Sequence, residues 1–401
     1  MLSFLGAIVL SQGGAKPPVL PVQEITTPVE VPFRTSDTAI IVDAEVNGKK
    51  VSLMFDTGFG GFVLCDAGIN LGKPDGKMGL RDFVGSFDVD TVTIKSLKLG
   101  SMSIPVADRK AAAVLREGAD NSLTYGQHCD GIMGFSVISE NITEINFEKK
   151  KFIFYPKTYD ISTRKPDGVK TFLSKLIPAG HSSLEMLVKT EAGKSLVLAL
   201  DTGNSFYITT HKDVLDRVGV MPLSKRPTYV SQSYVASGPV DSYSVQMPKM
   251  FVFGVPVESS VWDIIDLPSS SAEGDGTVGF GFLKNFNVTI DYQRRRVWME
   301  NFTGKTTDEK LGEAGMFTAW DDKSKNWIVS FIVKGGPAEA AGIKRGDVFL
   351  GFGTEEVGNI GYLRMRKRFQ GPAGSEIKLT LSRKGELYRK SLTLTPLVNL
   401  P

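Results

Sequence analysis

The chain has 401 residues, 41% of them hydrophobic and 23% charged, with a net charge of +3. That length holds two or three folded domains with a sizeable core, and so small a charge argues against a nucleic-acid footprint or a polybasic membrane anchor. With 42 glycines and 20 prolines, turns and short strands should outnumber long helices.

In chain order, the apolar run Leu2–Leu10 comes first, followed by Gly13, Gly14, Ala15 and Lys16. Residues 1–15 therefore read as a signal peptide for export, without the usual positive start, which places the mature protein outside the cytoplasm, periplasmic or secreted. The run is too short to span a bilayer as a permanent helix, and no other stretch is apolar enough, so no stable membrane span is expected. Residues 16–32, rich in Pro and Val, read as an extended leader.

Next, Ala39–Val46 and Lys50–Phe55 flank Asn47-Gly48, a strong hairpin signal. Asp88–Ile94 alternates apolar and polar residues as a half-buried strand does. Phe152–Tyr155 and Val288–Tyr292 read as further strands, with Lys149–Lys151 and Arg294–Arg296 at solvated hairpin turns. A helix is expected near Lys212–Val218. Cys65 and Cys129 are the only cysteines. They give no metal-ligating spacing, so neither metal nor other cofactor is expected. As a pair they fit either a disulfide or two buried free thiols.

The chain repeats itself. Asp56-Thr57-Gly58 recurs as Asp201-Thr202-Gly203, 145 residues later (201 less 56). The same shift carries Gly48-Lys49 to Gly193-Lys194, and Leu53-Met54-Phe55 to Leu198-Ala199-Leu200. It also carries Gly131–Phe135 to Gly276–Phe280, Ile145-Asn146-Phe147 to Ile290-Asp291-Tyr292, and Lys149–Lys151 to Arg294–Arg296. One doubled tripeptide is weak, because chance supplies it. Five further matches in one order are not chance, so residues 33–160 and 161–301 read as two similar all-β lobes.

Each Asp follows an apolar strand, and Gly58 or Gly203 permits the turn that aims its carboxyl outward. Two lobes about a pseudo-twofold axis would bring the carboxyls together. Such a pair cannot ionise twice, so it holds one proton over a wide pH range. A water between Asp56 and Asp201 is then activated by the ionised member, while the protonated member donates to a scissile carbonyl. Thr57 and Thr202 can hydrogen-bond across the axis and hold the carboxyls in register.

The doubled motif resembles that of pepsin-like and retropepsin-like aspartic peptidases. The carrying residues are Met54–Gly58 and Ala199–Gly203, completed by Ile132-Met133-Gly134 and Thr277-Val278-Gly279. The resemblance covers the first ~300 residues. It implies a mainly β, bilobal fold of two β-barrels, polypeptide substrates in a cleft between lobes, and catalysis by Asp56 and Asp201. It also implies a hydroxyl after each Asp-Thr-Gly. Ser205 can supply one, whereas Phe59-Gly60-Gly61 cannot. A hairpin flap is implied too; Met78–Phe87 suits it, with Phe83 or Phe87 in place of the usual tyrosine. The missing hydroxyl leaves open a second reading, a non-catalytic peptide-binding scaffold. A Ser-based site fares worse, since Gly134–Ile138 lacks the second glycine of a nucleophile elbow.

Residues 302–313 read as a polar linker. Residues 314–401 have no counterpart in the repeat and resemble the PDZ domains of bacterial peptidases. The residues that carry this are Gly336-Pro337-Ala338, Ala341-Gly342-Ile343 and Gly346-Asp347-Val348. The resemblance implies that peptides or C-terminal tails add to a sheet edge, with Gly315, Met316 and Phe317 at the carboxylate-binding loop. Arg364, Arg366, Lys367 and Arg368 lie near that groove and read as a solvated helix face.

Overall fold

The structure is a computed structural model. It describes residues 25–81, 86–106, 111–177, 184–235, 238–271, 274–307 and 311–401. The export signal, most of the leader, and Phe83 lie outside the described residues. The chain is mainly β, with only short helices. Three large sheets form the first three-quarters, and a smaller sheet forms the C-terminal unit.

Each repeat builds one large sheet, of ten strands in the first and of nine in the second, where Val398–Asn399 from the end of the chain adds the tenth. In the first, Ile40–Val46 and Lys49–Asp56 form the expected hairpin, and Asn47 and Gly48 take φ of 50° and 78°, as a two-residue turn requires. Neither sheet closes on itself, so the lobes are open sheets where the resemblance implied barrels. The repeat reaches single hydrogen bonds. Ser52 N–H donates to Asp130 Oδ2 at 2.8 Å, and its mate Val197 N–H donates to Asp275 Oδ2 at 2.8 Å.

A six-stranded sheet joins the lobes. Ile142–Asn146 of the first pairs antiparallel with Phe286–Asp291 of the second, Thr143 opposite Ile290 and Ile145 opposite Val288. The 145-residue shift exchanges these two pairs, which is the signature of a twofold axis through the sheet. The turns beside these strands hold Lys150 and Arg295 at positive φ, as the charged runs suggested. Val29–Pro32, the end of the leader, pairs with Lys151–Tyr155 at one edge. Cys65 and Cys129 are buried free thiols, which decides between the two readings of that pair.

The C-terminal unit orders its strands Met316–Asp321, Asn326–Ile332, Val348–Phe352, Glu376–Arg383 and Glu386–Thr393 around Trp327, Phe349, Met365 and Leu381. Asp347, almost fully buried, accepts from Lys344 N–H, the Arg383 guanidinium and the Tyr388 hydroxyl, at 2.6 to 2.8 Å. Leu311–Glu313, the end of the stretch read as linker, is a strand paired with Gln370–Pro372. Past the last long strand the chain returns to the second lobe. Val398–Asn399 lies parallel to Gly238–Met247, and the Asn399 amide bonds the backbone of Thr228, Tyr229 and Ser244.

Gly131 and Gly276 are repeat-mates on the strands that flank the two Asp-bearing segments. A Cβ on either would stand 2.0 or 2.1 Å from a carbonyl oxygen of the next strand. Gly131→Ala and Gly276→Ala are therefore predicted each to destabilise the fold by about 1–3 kcal/mol or more. A urea melt checks this: the midpoint should fall with the slope unchanged.

Candidate active site

The strand Lys49–Asp56 is buried over its last six residues and runs parallel to Gly131–Gly134, with Asp56 opposite Gly134. Its counterpart Ser195–Leu200 runs parallel to Gly276–Val278, and Asp201 N–H donates to the Val278 carbonyl at 2.9 Å. Both carboxyls thus leave the core at the same end of equivalent strands. Each is turned back onto its own loop. Asp56 Oδ1 accepts from the N–H of Gly58 and Phe59 at 2.8 and 3.2 Å, and Asp201 Oδ1 from those of Gly203 and Asn204 at 2.9 and 3.1 Å.

The two loops meet face to face. A Cβ on Gly58 would stand 2.7 Å from the Asp201 carboxyl carbon, and one on Gly203 would stand 2.3 Å from that of Asp56. Only glycine fits between each carboxyl and the opposite loop. The threonines lock this approach. Thr57 Oγ1 donates to the Leu200 carbonyl at 2.7 Å and accepts from Thr202 N–H at 3.0 Å. Thr202 Oγ1 donates to the Phe55 carbonyl at 2.8 Å and accepts from Thr57 N–H at 3.1 Å. All four bonds are buried and cross between lobes.

Asp56 and Asp201 are wholly buried, and the second oxygen of each carboxyl, Oδ2, has no hydrogen-bond partner. Two buried carboxyls facing each other this closely cannot both carry a charge. Burial, and then the charge of Asp201, push Asp56 well above the usual carboxylate range. Burial also raises Asp201, against the pull of the N–H groups of Gly203 and Asn204 that donate to it. Tyr125, at the end of the helix Ser122–Tyr125, is half-buried, and desolvation, then the charges of Cys129 and Asp56, push its proton loss far up.

Ser205 lies half-buried, two residues past Gly203. Phe59 is buried against Gly61 and Gly134. The hairpin proposed as a flap is present: Gly76–Arg81 pairs with Ser86–Thr93, Phe87 opposite Leu80, while Phe83 falls outside the described residues. Two residues that sequence reasoning missed touch this centre. Thr277 had looked like a mild departure from an apolar motif, and Tyr125 stands in a stretch with no pattern to mark it.

The helix Tyr362–Arg368 of the C-terminal unit spans both lobes. Lys367 pairs with Asp37 of the first lobe at 2.5 Å, Gly361 packs on the Leu123 backbone, and Arg364 lies by Gly126. Arg366 is not on a solvated face as expected. Its guanidinium stands over Phe206 of the second lobe at 5.0 Å and over Phe317 at 5.1 Å. Arg368 pairs with Glu355. Gly315 and Phe317, assigned to peptide binding, touch the chain's own Leu397, which packs with Phe317 and Val333.

Residues 305–382 match the family model of the PDZ domain, so the chain carries one. No curated protein matches the chain. Among solved structures, the crystal structure of aspartic proteinase from Irpex lacteus is 16% identical, covering 70% of this chain and 99% of its own, with a TM-score of 0.45. A photosystem II D1 C-terminal processing protease is 26% identical, covering 21% of this chain and 23% of its own, with a TM-score of 0.20. At those scores neither likeness adds to what the strands and side chains above establish.

Two predictions follow from this geometry. Thr202→Val strands the Phe55 carbonyl and the Thr57 N–H in the interior, at roughly 1–3 kcal/mol for each stranded group, read as a lower urea midpoint. The raised carboxyls also carry a pH signature. The folded state keeps protons that the unfolded chain releases near pH ~4, so stability falls as pH rises from there through the folded pKa. Asp56→Asn does not titrate. Its urea midpoint should gain on that of the wild type as pH rises from about 4 through the raised folded-state pKa of Asp56.

Proposed function

We propose that the chain is an aspartic endopeptidase whose Asp56–Asp201 dyad hydrolyses extended polypeptides. One observation carries the reading: two wholly buried carboxyls, from equivalent strands of a duplicated fold, each face the other's loop with one oxygen left without a hydrogen-bond partner, a setting in which the pair would share one proton. The ionised member takes a proton from water, whose oxygen attacks the peptide carbonyl carbon. The protonated member gives its proton to the carbonyl oxygen, forming a tetrahedral diol. When the diol collapses, one of its protons returns to the dyad, the amide nitrogen gains one, and the C–N bond breaks. Water is consumed, an acid and an amine are released, and the dyad regains its single proton. No covalent enzyme intermediate is needed.

The threonine exchange serves this chemistry by fixing the distance between the carboxyls, since a pair free to part would ionise twice. The PDZ domain supplies a second, non-catalytic peptide site, with Gly315, Met316 and Phe317 at its edge. In this reading it recruits substrates or gates their entry, because its helix Tyr362–Arg368 bears on both lobes.

Asp56→Asn and Asp201→Asn are each expected to lower cleavage of fluorescein-labelled unfolded casein by ~10²–10⁴-fold, with the fold retained by circular dichroism. A statine-type transition-state mimic should inhibit the wild type. Cleavage at the wild-type rate by either variant would sink the proposal. Peptide binding with no hydrolysis by the wild type would favour the scaffold reading instead.

A further inference from the structure

The duplicated fold is symmetric in its strands, its threonines and its glycines, but not in the two side chains that back each carboxyl. The 145-residue shift maps Phe59 onto Asn204 and Ile132 onto Thr277, and all four are buried. In the first lobe the pair is apolar. Ile132 lies opposite Met54, two residues before Asp56, and both pack with Phe59 and Leu64. In the second lobe the pair is polar. Thr277 lies opposite Ala199, two residues before Asp201. Residues opposite each other on paired strands share a face, as do residues two apart, so Thr277, Ala199 and Asp201 lie on one face.

The Asn204 amide fixes the Thr277 hydroxyl. Its Nδ2 donates to Thr277 Oγ1 at 2.7 Å and to Thr209 Oγ1 at 2.9 Å, while its Oδ1 accepts from Phe206 N–H at 2.9 Å. With the Thr277 oxygen already accepting, its own O–H is left to donate, and Asp201 on the same face keeps a buried Oδ2 with no hydrogen-bond partner to receive it. A hydroxyl so aimed stabilises a carboxylate over a carboxylic acid. Nothing equivalent can reach Asp56 from Phe59 or Ile132.

We infer that Thr277, held by Asn204, is a positioning residue that makes the dyad unequal: Asp201 is the resting carboxylate that takes the proton from water, and Asp56 is the resting acid that protonates the carbonyl. The titratable groups facing the pair are the two carboxyls themselves and, toward Asp56, Tyr125. This inference rests on the peptidase reading above and assigns its two roles.

The test is the pH profile of kcat/KM on fluorescein-labelled unfolded casein, with the full chain. Thr277→Val keeps the shape and removes the hydroxyl. The carboxylate loses its donor, so the acidic limb should move up by about one pH unit while the basic limb stays. Thr277→Ser should restore the wild-type profile. Ile132→Thr offers Asp56 a hydroxyl it lacks and should draw the basic limb down, which keeps the test decisive even if Thr277→Val does not fold. An equal loss at every pH with both limbs fixed, or movement of the basic limb in Thr277→Val, overturns the assignment. If the Asp→Asn variants cleave at the wild-type rate, the dyad itself falls. If they are inactive and the limbs do not move, only the division of roles falls.

Discussion

Four hydrogen bonds between two threonines and the opposite strands hold the centre of this protein together. Each threonine uses its hydroxyl as donor and acceptor at once, so neither lobe can complete its own loop without the other. Burial makes the arrangement all or nothing, because a polar group stranded there would cost about 1–3 kcal/mol. The carboxyls are brought together as a consequence. Their mutual repulsion is a load the threonines and the shared six-stranded sheet must carry, and a shared proton relieves it.

The parts legible in the sequence were those fixed by local chemistry or by copying. The Asn47-Gly48 turn is dictated by backbone conformation, and the structure gives it positive φ at both residues. The Asp-Thr-Gly motifs were found because duplication wrote them twice at one spacing. Contacts that join distant segments without a repeated pattern stayed hidden. Thr277 reads as a lapse in an apolar motif until Asn204 is seen beside it. Tyr125 gains meaning only when folding brings it within the field of Asp56. The arginines of Tyr362–Arg368 have the charge of a surface helix, and no sequence pattern announces that Phe206 and Phe317 will cover Arg366. Nor does strand alternation say whether a sheet closes, which is why open lobes stand where barrels were implied.

Asymmetry in a duplicated protein is informative because symmetry is its starting point. The lobes agree down to matched backbone-to-carboxylate bonds at Ser52 and Val197. Against that agreement, replacing an apolar pair by an amide and a hydroxyl at one carboxyl alone changes the electrostatics where the two halves touch. Packing differs little, since Thr277 and Ile132 are both β-branched and both fully buried. What differs is whether a charge is welcome.

The return of Val398–Asn399 to the second lobe makes the PDZ domain hard to excise. Met316–Asp321 to Glu386–Thr393 form a self-sufficient sheet, yet the segment beyond them covers Ser244 and Val245 of Gly238–Met247. Trimming the chain after the two lobes would bare those backbone groups as an open strand edge, with Tyr229 losing the cover of Leu397. Such an edge invites pairing between copies, so the shortened protein is set to self-associate even if each lobe folds as before.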